Sequence, residues 1–326
     1  MTLLLDDAAV RAGFDWNLAV SALREAYAGA ADNARYPARG MARGDHGWLR
    51  TLSGIPANDG LMGAKQIAVS LKDARGAFLI NLFDQVTARL VALLDGRSVT
   101  GYRTAATSAL AADLLSAPGP LDVAVIGSGF EAKNHVRAVA AVRELKTVRV
   151  YSPRAESRAR FAAELADLAT PIQSADSPGV AVGDASLVIC AARSHDESPT
   201  LHGDWLRPGT TVVSIGSTLP EQREVDTTVI ALSDVIIADV VDEVVDDTGD
   251  FIASRAAGLE VADRVGALAD LVAGRHLGRT SAEQIVLYKS VGSALQDLAV
   301  AAMCVRNAER LGLGTRIPDF VVPKGK

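Results

Sequence analysis

The stretch VAVIGSGFEAKNH contains two glycines and an alanine at fixed spacing, Gly127, Gly129 and Ala132, between an apolar run and a helical pattern. In this spacing the first glycine permits a tight turn and the second lets a ligand approach the backbone. A phosphate group would then lie on the N–H groups and the positive dipole end of the helix. The triplet alone also fits an ordinary turn, but its place at the start of several alternating strand and helix patterns favours a dinucleotide site.

The next strand pattern, VRVYSPRAESR, ends in Tyr151 and Ser152 and is followed by Arg154, Arg158 and, less directly, Arg160. At this place a dinucleotide-binding domain that prefers NAD carries an acid for the 2′-hydroxyl of the adenosine ribose. Here the acid is missing, and guanidinium groups bind phosphate through paired, charge-assisted hydrogen bonds. We therefore expect NADP(H) to be preferred, with NAD(H) possible, unless the arginines only form the solvated start of a helix.

Two further cations stand in surroundings where charge is unusual. Arg103 lies among small residues in the helix pattern GYRTAATSALAADLL, and Lys65 lies inside the apolar strand pattern MGAKQIAV. A cation in an apolar strand costs free energy unless it is paired. Lys65 therefore either points to solvent on the alternate face of the strand or meets an anion in a cleft, and its spacing leaves both open.

Composition narrows the classes of function. The chain has 326 residues and a net charge of −6, which gives no sign of the clustered positive potential that nucleic acid binding needs. No apolar run approaches the roughly 20 residues that span a bilayer, and the first residues, MTLLLDDAAV, carry acids where a signal peptide requires bases. We expect a cytoplasmic protein with no membrane or nucleic-acid partner. Cys190 and Cys304 are expected to be buried free thiols, and the five histidines show no metal-ligand spacing, so no metal is expected.

The elements that position these residues change in type at the segment SAPGPLD, residues 116–122. Before it, Asp15 is predicted to cap a helix that ends near Gly29, with Leu18, Leu23 and Tyr27 on one side. Residues 98–116 also have a helical period. Between these helices, four strand patterns without an intervening helix predict an antiparallel or mixed sheet: GWLRTLSG, MGAKQIAVSL, AFLINLFD and RLVALLDG.

After this segment, six apolar, β-branched runs alternate with helical patterns, which is typical of a parallel sheet covered on both faces. A last helix pattern from Val291 to about Leu311 is expected to return to the first domain. The predicted fold is therefore α/β, with a Rossmann-type doubly wound parallel sheet and a second α+β domain built from both chain ends. We place the first domain at residues 1–117, the Rossmann domain at 118–290 and the returning helix at 291–326.

Four long stretches carry a resemblance to a known family: GYRTAATSALAADLL, VAVIGSGFEAKNHVRAV, WLRPGTTVVSIGSTLPEQREVD and GRTSAEQIVLYKSVGSALQDLAVA. Together they make the chain similar to the ornithine cyclodeaminase and mu-crystallin family of NAD(P)-dependent proteins. The resemblance implies a homodimer that pairs through the N-terminal substrate domain, and a substrate that is an α-amino or α-imino acid, or the related keto acid.

The resemblance also assigns roles to residues. It implies that Arg103 and Arg39 bind the substrate carboxylate, that Lys65 is the active-site lysine and that Thr218 borders the substrate. The predicted cofactor-binding residues are Thr104, Gly127, Ser128, Gly129, Phe130, Glu131, Ala132, Ser152, Arg154, Arg158, Ser217, Lys289, Ser290 and Gly292.

Two departures from the family pattern bear on the reaction. Thr218 stands where the cyclodeaminases carry an aspartate, and a neutral hydroxyl cannot replace a carboxylate as a proton acceptor at neutral pH. The stretch LKDARGAFLINLF also replaces the usual Gly- and Asn-rich segment after the lysine strand. We therefore expect an NADPH-dependent reductase of an α-imino acid (ketimine), or the reverse amino-acid dehydrogenase. The alternatives are a cyclodeaminase-type lyase with tightly bound NAD and a non-catalytic NADPH-binding protein.

Overall fold

The computed structural model describes residues 1–29 and 33–324 of the 326-residue chain. It shows two compact units, the first made of residues 1–103 and 293–326 and the second of residues 104–292. These divisions fall after Arg103 and Gly292, whereas the sequence pattern placed them after residues 117 and 290. The first difference arises because proline and glycine mark the end of a helix, while the packing of a long helix can change part-way along it.

The first unit contains a seven-stranded mixed sheet in the order β15-β1-β6-β5-β4-β3-β2. Strands β2 to β6 pair antiparallel in sequence order, and β1 pairs parallel with β6. The four predicted strands are confirmed as β3 to β6, while β1, β2 and β15 were not predicted. Numbered along the whole chain, its elements are β1 (Thr2–Leu5), α1 (Asp7–Gly13), α2 (Trp16–Ala28), β2 (Gly40–Gly44), β3 (Gly47–Gly54), β4 (Leu61–Ser70), β5 (Arg75–Asp84), β6 (Leu90–Asp95), the start of α3 (Gly96–Leu115), α11 (Ala294–Leu311) and β15 (Thr315–Ile317).

Helix α2 begins and ends where the sequence predicted. The side chain of Asp15 accepts a hydrogen bond from the Leu18 N–H, and Gly29 follows the last turn. Leu23 and Tyr27 are buried, but Leu18 is 45% exposed, so the prediction that it shares one side of the helix with them was wrong. Leu18 precedes Leu23 by more than one helical turn, and the buried stripe instead continues through Ala19 and Val20.

Helix α11 is the central helix of the first unit. It packs against α1 and α2 and against one face of β3, β4 and β5, and its residues from Ala294 to Val305 are all buried. The predicted start at Val291 is three residues early, because residues 290–292 form a turn in which Gly292 has a φ of +80°. Within the described residues, no helix is long and apolar enough to cross a membrane.

The second unit is built on an eight-stranded sheet in the order β13-β12-β14-β11-β10-β7-β8-β9, in which every neighbouring pair is parallel. The doubly wound α/β fold is therefore confirmed. The six predicted runs are strands, and the three-residue strands β9 and β13 were missed. The elements are β7 (Leu121–Ile126), α4 (Phe130–Val142), β8 (Leu145–Tyr151), α5 (Ala155–Glu164), β9 (Ile172–Ser174), α6 (Pro178–Val182), β10 (Leu187–Cys190), β11 (Thr211–Ser214), α7 (Thr227–Leu232), β12 (Val235–Ala238), α8 (Val241–Asp247), α9 (Gly249–Ala256), β13 (Val265–Ala267), α10 (Leu268–Val272) and β14 (Val286–Lys289).

The strand order of the second unit reverses its direction beside β7. From β7 the chain builds outward through β8 and β9, and then returns to the other side of β7 with β10 and β11. Ligands of such sheets bind beyond the carboxyl ends of the strands at this reversal. The Gly127 loop follows β7 at this edge, and Ser152 follows β8. Cys190 in β10 and Cys304 in α11 are both buried free thiols, as predicted.

Candidate active site

Lys65 is buried in the first unit and paired with an acid. It lies on β4 between Leu52 of β3 and Ile80 of β5, on the face that α11 covers. Only 1% of its side chain is exposed, and its Nζ donates a hydrogen bond to Oδ1 of Asp297 at 2.7 Å. The alternative in which Lys65 points to solvent is therefore wrong, because alternation along β4 turns it inward.

Asp297 also binds Arg103. The Nε of Arg103 donates to the same Oδ1 at 2.9 Å, and its Nη1 donates to Oε1 of Gln296 at 2.6 Å. Gln296 in turn donates from Nε2 to the Tyr27 hydroxyl at 2.7 Å. The second carboxylate oxygen of Asp297 is buried and accepts no hydrogen bond from any residue that the structure describes. We call Lys65, Arg103, Gln296 and Asp297 the lysine cluster.

Three cations lie near one another in the first unit. Lys65 and Arg103 share the carboxylate of Asp297, and Arg39, directly before β2, is close enough to lower the pKa of Lys65 further. Burial is the main cause that lowers this pKa, to about 8, and Asp297 opposes it. The lysine therefore carries a proton at pH 7 that it can give up within the accessible pH range. Cations grouped in this way suit an anionic ligand such as a carboxylate.

The Gly127 loop of the second unit has the geometry that its sequence predicted. Gly127 has a φ of +117°, and a Cβ there would lie 2.7 Å from the Ala191 carbonyl oxygen. A Cβ on Gly129, the residue before α4, would meet nothing within 4 Å, and no described side chain caps this helix. Ala132 is fully buried against the sheet. Open space at the N-terminal turn of a helix fits a pyrophosphate.

The two arginines after β8 are held differently. Arg158 donates from Nη1 to the Ser152 carbonyl at 2.7 Å and from Nε to the Ser174 hydroxyl at 2.7 Å, so it ties the ends of β8 and β9 together. Arg154, at the start of α5, is exposed. Ser128 donates to the Ser152 hydroxyl at 3.0 Å, which joins the glycine loop to the end of β8. Of the two arginines, Arg154 is the one whose guanidinium faces solvent.

Three other predicted cofactor residues belong to helices α3 and α4. Phe130 is 48% exposed in the first turn of α4, and Glu131 beside it is partly buried. Thr104 is partly buried in α3, directly after Arg103.

A family model, described as the ornithine cyclodeaminase/mu-crystallin family, matches residues 52–311. The chain belongs to this family. The resemblance stated from the sequence is therefore confirmed. Among its curated relatives, a Delta(1)-pyrroline-2-carboxylate reductase of Colwellia psychrerythraea is 32% identical over 225 residues, covering 68% of this chain and 70% of the relative.

Two solved structures have the same fold. The iminosuccinate reductase of Paracoccus denitrificans in complex with NAD⁺ is 25% identical, with a TM-score of 0.85, covering 96% of this chain and 98% of that one. The Delta(1)-pyrroline-2-carboxylate reductase of Thermococcus litoralis in complex with NADH and L-proline has a TM-score of 0.89 at 24% identity, covering 97% and 100% of the two chains.

Within this member of the ornithine cyclodeaminase/mu-crystallin family, the turn after β14 is fixed by Asp239. Its carboxylate accepts hydrogen bonds from the Ser290 hydroxyl at 2.7 Å and from the Gly292 N–H at 2.8 Å. Lys289 is fully buried, and its Nζ donates to the Ser214 hydroxyl at 2.9 Å and lies 3.0 Å from Asp250. A contact between Lys289 and a cofactor would therefore have to come from its backbone.

The loop after β11 holds Thr218 through Gln222. The N–H and the hydroxyl of Thr218 both donate to Oε1 of Gln222, at 3.0 and 3.2 Å, and the Ser217 hydroxyl donates to the Gln222 carbonyl at 2.6 Å. The sequence pattern did not identify Gln222, Gln296 or Asp297. For Asp297 a signal existed, because an acid inside the apolar helix pattern SALQDLAV needs a buried partner just as Lys65 does.

Proposed function

We propose that the protein is an NAD(P)H-dependent reductase that converts an α-imino acid into the α-amino acid, and that it runs in reverse as an amino-acid dehydrogenase where equilibrium allows. The observation that carries this proposal is the buried lysine cluster, in which Lys65 and Arg103 share one oxygen of Asp297. Two relatives support the same reaction class, because they are named as reductases of Delta(1)-pyrroline-2-carboxylate and of iminosuccinate, and both compounds are imino acids.

The residues of the first unit would bind and orient the imino acid. Arg103, with Arg39, binds its carboxylate, because guanidinium groups bind carboxylates through paired hydrogen bonds and both arginines lie near Lys65. Contacts of this kind fix the position of the C=N group and thereby lower the entropy cost of the reaction. Lys65 then donates its proton to the imine nitrogen as that atom becomes an amine. Asp297 keeps the lysine protonated at neutral pH and in place.

The second unit would hold the dinucleotide. The Gly127 loop and the start of α4 bind the pyrophosphate, and Ser152 lies beside the adenosine ribose. When bound, the reduced nicotinamide supplies the hydride that the imine carbon receives. We propose that NADP(H) is preferred over NAD(H), since the end of β8 offers no acid and the exposed Arg154 can bind a 2′-phosphate.

Two properties of Thr218, in the loop after β11, do not fit the cyclodeaminase alternative. Thr218 has no carboxylate, and its hydroxyl donates to Gln222, so it offers a ligand only lone pairs of low basicity. A lyase that recycles its cofactor would also retain NAD through purification. Mass spectrometry of the purified, unheated protein distinguishes the two cases: retained NAD supports the lyase, and exchangeable cofactor supports the reductase.

We also propose that the protein is a homodimer formed through the sheet of the first unit. On the face opposite to Lys65, uncharged side chains align across β3, β4 and β5: Leu49 with Ala68 and Ala77, and Thr51 with Gln66 and Leu79. Leu49 and Leu79 are 43% and 42% exposed. Exposed leucines on an uncharged sheet face are typically covered by another surface, and a second copy buries them symmetrically.

The direct test is the oxidation of NADPH and NADH, followed by absorbance, with a panel of imines. The panel contains cyclic imines such as Δ1-pyrroline-2-carboxylate, and keto acids mixed with ammonia or methylamine. Turnover with at least one imine, faster with NADPH than with NADH, supports the proposal. A protein that binds NADPH but oxidises it with none of these imines is a binding protein and not a reductase.

A further inference from the structure

A second set of charged and polar side chains is buried in the second unit. It runs from Asp250 in α9 through Lys289 at the end of β14 and Ser214 at the end of β11 to Glu224, and all four side chains are fully buried. Lys289 lies 3.0 Å from Asp250 and donates to the Ser214 hydroxyl at 2.9 Å. Ser214 donates to Oε2 of Glu224 at 2.7 Å. We call these four residues the buried relay.

The buried relay anchors the loop at residues 215–223. The N–H of Gly216 donates to Oε2 of Glu224 at 2.8 Å, so the carboxylate holds the first residues of the loop. The N–H of Glu224 donates to Asp250 at 2.8 Å, which holds its last residues. Lys289 directly precedes the turn at residues 290–292. One set of contacts therefore fixes both the loop after β11 and the turn after β14.

Such an arrangement is costly to bury. Removing ionisable groups from water carries a penalty that apolar side chains of equal volume would not incur. The fit is also tight, because a Cβ on Gly216 would overlap Oε1 of Glu224. None of the four residues belongs to the lysine cluster, so the cost is offset by something other than proton transfer at Lys65.

The position of the buried relay in the sheet indicates which half of a bound dinucleotide it would lie near. The Gly127 loop and Ser152 follow β7 and β8, and β11 and β14 lie beyond β10 on the other side of β7. A dinucleotide lies across this reversal with one mononucleotide on each side. If the pyrophosphate and adenosine bind at β7 and β8, the nicotinamide half falls at the carboxyl ends of β10, β11 and β14.

We propose that Glu224 is a positioning residue for the nicotinamide half of the dinucleotide: through Ser214 and Gly216 it fixes the loop that carries Ser217 and Thr218 against the end of β14. This inference rests on the proposed dinucleotide site. It predicts that the relay affects binding of the nicotinamide half and leaves binding of the adenosine half unchanged.

The charge of Glu224 adds a second observable. Burial raises the pKa of Glu224 to about 7, and Lys289 opposes this rise. The charge of Asp250, from α9, also raises the pKa of Glu224. The thiol of Cys190, from β10, faces both acids, and their charges raise its pKa. An ionised carboxylate accepts stronger hydrogen bonds than a neutral one. The loop should therefore be held more firmly above pH 7 than below it.

The test compares two ligands by calorimetry: NADPH, and adenosine 2′,5′-bisphosphate, which lacks the whole nicotinamide half. Glu224→Met removes the acceptor at nearly constant size. It should raise the Kd of NADPH about tenfold, the effect of losing one orienting hydrogen bond, and leave the Kd of the fragment within about twofold. Glu224→Gln keeps a carbonyl that can accept from Ser214 and Gly216. It should retain NADPH affinity and abolish the change in the ratio of the two Kd values between pH 6 and pH 8.

A second variant guards against misfolding. Gly216→Ala leaves every charge in place but displaces the Glu224 carboxylate, so it should reproduce the selective loss of NADPH affinity. If Glu224→Met and Gly216→Ala weaken both ligands equally, or neither, the inference is wrong while the dinucleotide site stands. If the wild-type protein binds neither ligand, the proposed function fails and the inference fails with it.

Discussion

Lys65 and Asp297 form a fully buried ion pair, although 232 positions separate them in the chain. The lysine comes from the middle of β4 and the aspartate from the first turn of α11, so the pair forms only when the last helix packs on the sheet. The same carboxylate oxygen accepts from Arg103. One acid therefore holds both the residue proposed to donate the proton and the residue proposed to bind the carboxylate.

The first prediction concerns Asp297→Asn. Without the carboxylate, two cations share a buried site, which should lower the free energy of unfolding by about 3 kcal/mol or more. The pKa of Lys65, about 8 in the wild type, should fall further because its counter-charge is gone. Since reduction needs protonated Lys65, the pH above which kcat declines should move from near 8 toward neutrality. Denaturant unfolding and a pH profile of kcat measure the two effects.

Asp59→Asn provides the matched control. Asp59 forms an ion pair at 2.9 Å with Arg306, which lies in α11 as Asp297 does, but that arginine is 54% exposed. Loss of such a pair should cost less than about 1 kcal/mol and leave the pH profile unchanged. Equal effects of the two substitutions would show that Asp297 has no special role.

The second prediction concerns Arg103→Ala. Its guanidinium is proposed to bind the substrate carboxylate in the ground state and in the transition state alike, so its loss should mainly raise KM. A smaller loss of kcat should follow from poorer orientation. Initial rates over a range of imine concentrations separate the two constants. An unchanged KM with a large loss of kcat would assign Arg103 to the chemical step instead.

The third prediction concerns Arg154→Ala. Loss of a bidentate contact to the 2′-phosphate should weaken NADPH binding by about one to two decades and leave NADH binding unchanged. Arg160→Ala is the control, because Arg160 is also an exposed arginine of α5. Fluorescence titrations measure the Kd of NADPH and of NADH for the wild type and for each variant. If NADPH and NADH bind the wild type equally well, or if Arg160→Ala changes their ratio as much as Arg154→Ala does, the arginine does not select the cofactor.

The fourth prediction concerns Leu79→Glu. A charge in the middle of this uncharged sheet face should prevent the two subunits from pairing, and light scattering should show a change from dimer to monomer. Val86→Glu is the control, since Val86 is 91% exposed at the turn between β5 and β6. A wild-type protein that scatters as a 34.0 kDa monomer at micromolar concentration contradicts the proposed dimer.

The sequence predicted most elements of this fold because their signals are local. Apolar runs bounded by glycine, proline or aspartate located β3 to β6 and the six longer strands of the second unit. Strand β2 was not predicted because its residues, GMARG, are mostly exposed and lack β-branched side chains. Strands β9 and β13 have three residues each, which is too short for a period to show.

The candidate site was predictable only where chemistry and local pattern coincide. The Gly127 loop has a local geometric requirement, and Lys65 is conspicuous as a cation in an apolar strand. Asp297 had a weaker signal, as an acid inside an apolar helix pattern, and Glu224 had none, because an acid in a loop is usually solvated. Their burial depends on elements far away in the chain, and the charges they meet became visible only in three dimensions.

The most direct measurement is the turnover of Lys65→Met with NADPH and the imine that the wild-type protein reduces best. We predict that kcat falls by about two to four decades while the Kd of NADPH is unchanged, because the methionine fills the same buried space but cannot donate a proton. Circular dichroism and the Kd of NADPH verify that the variant is folded. Full turnover by a folded Lys65→Met protein would contradict the account, since the lysine cluster would then have no part in the reduction of an imine.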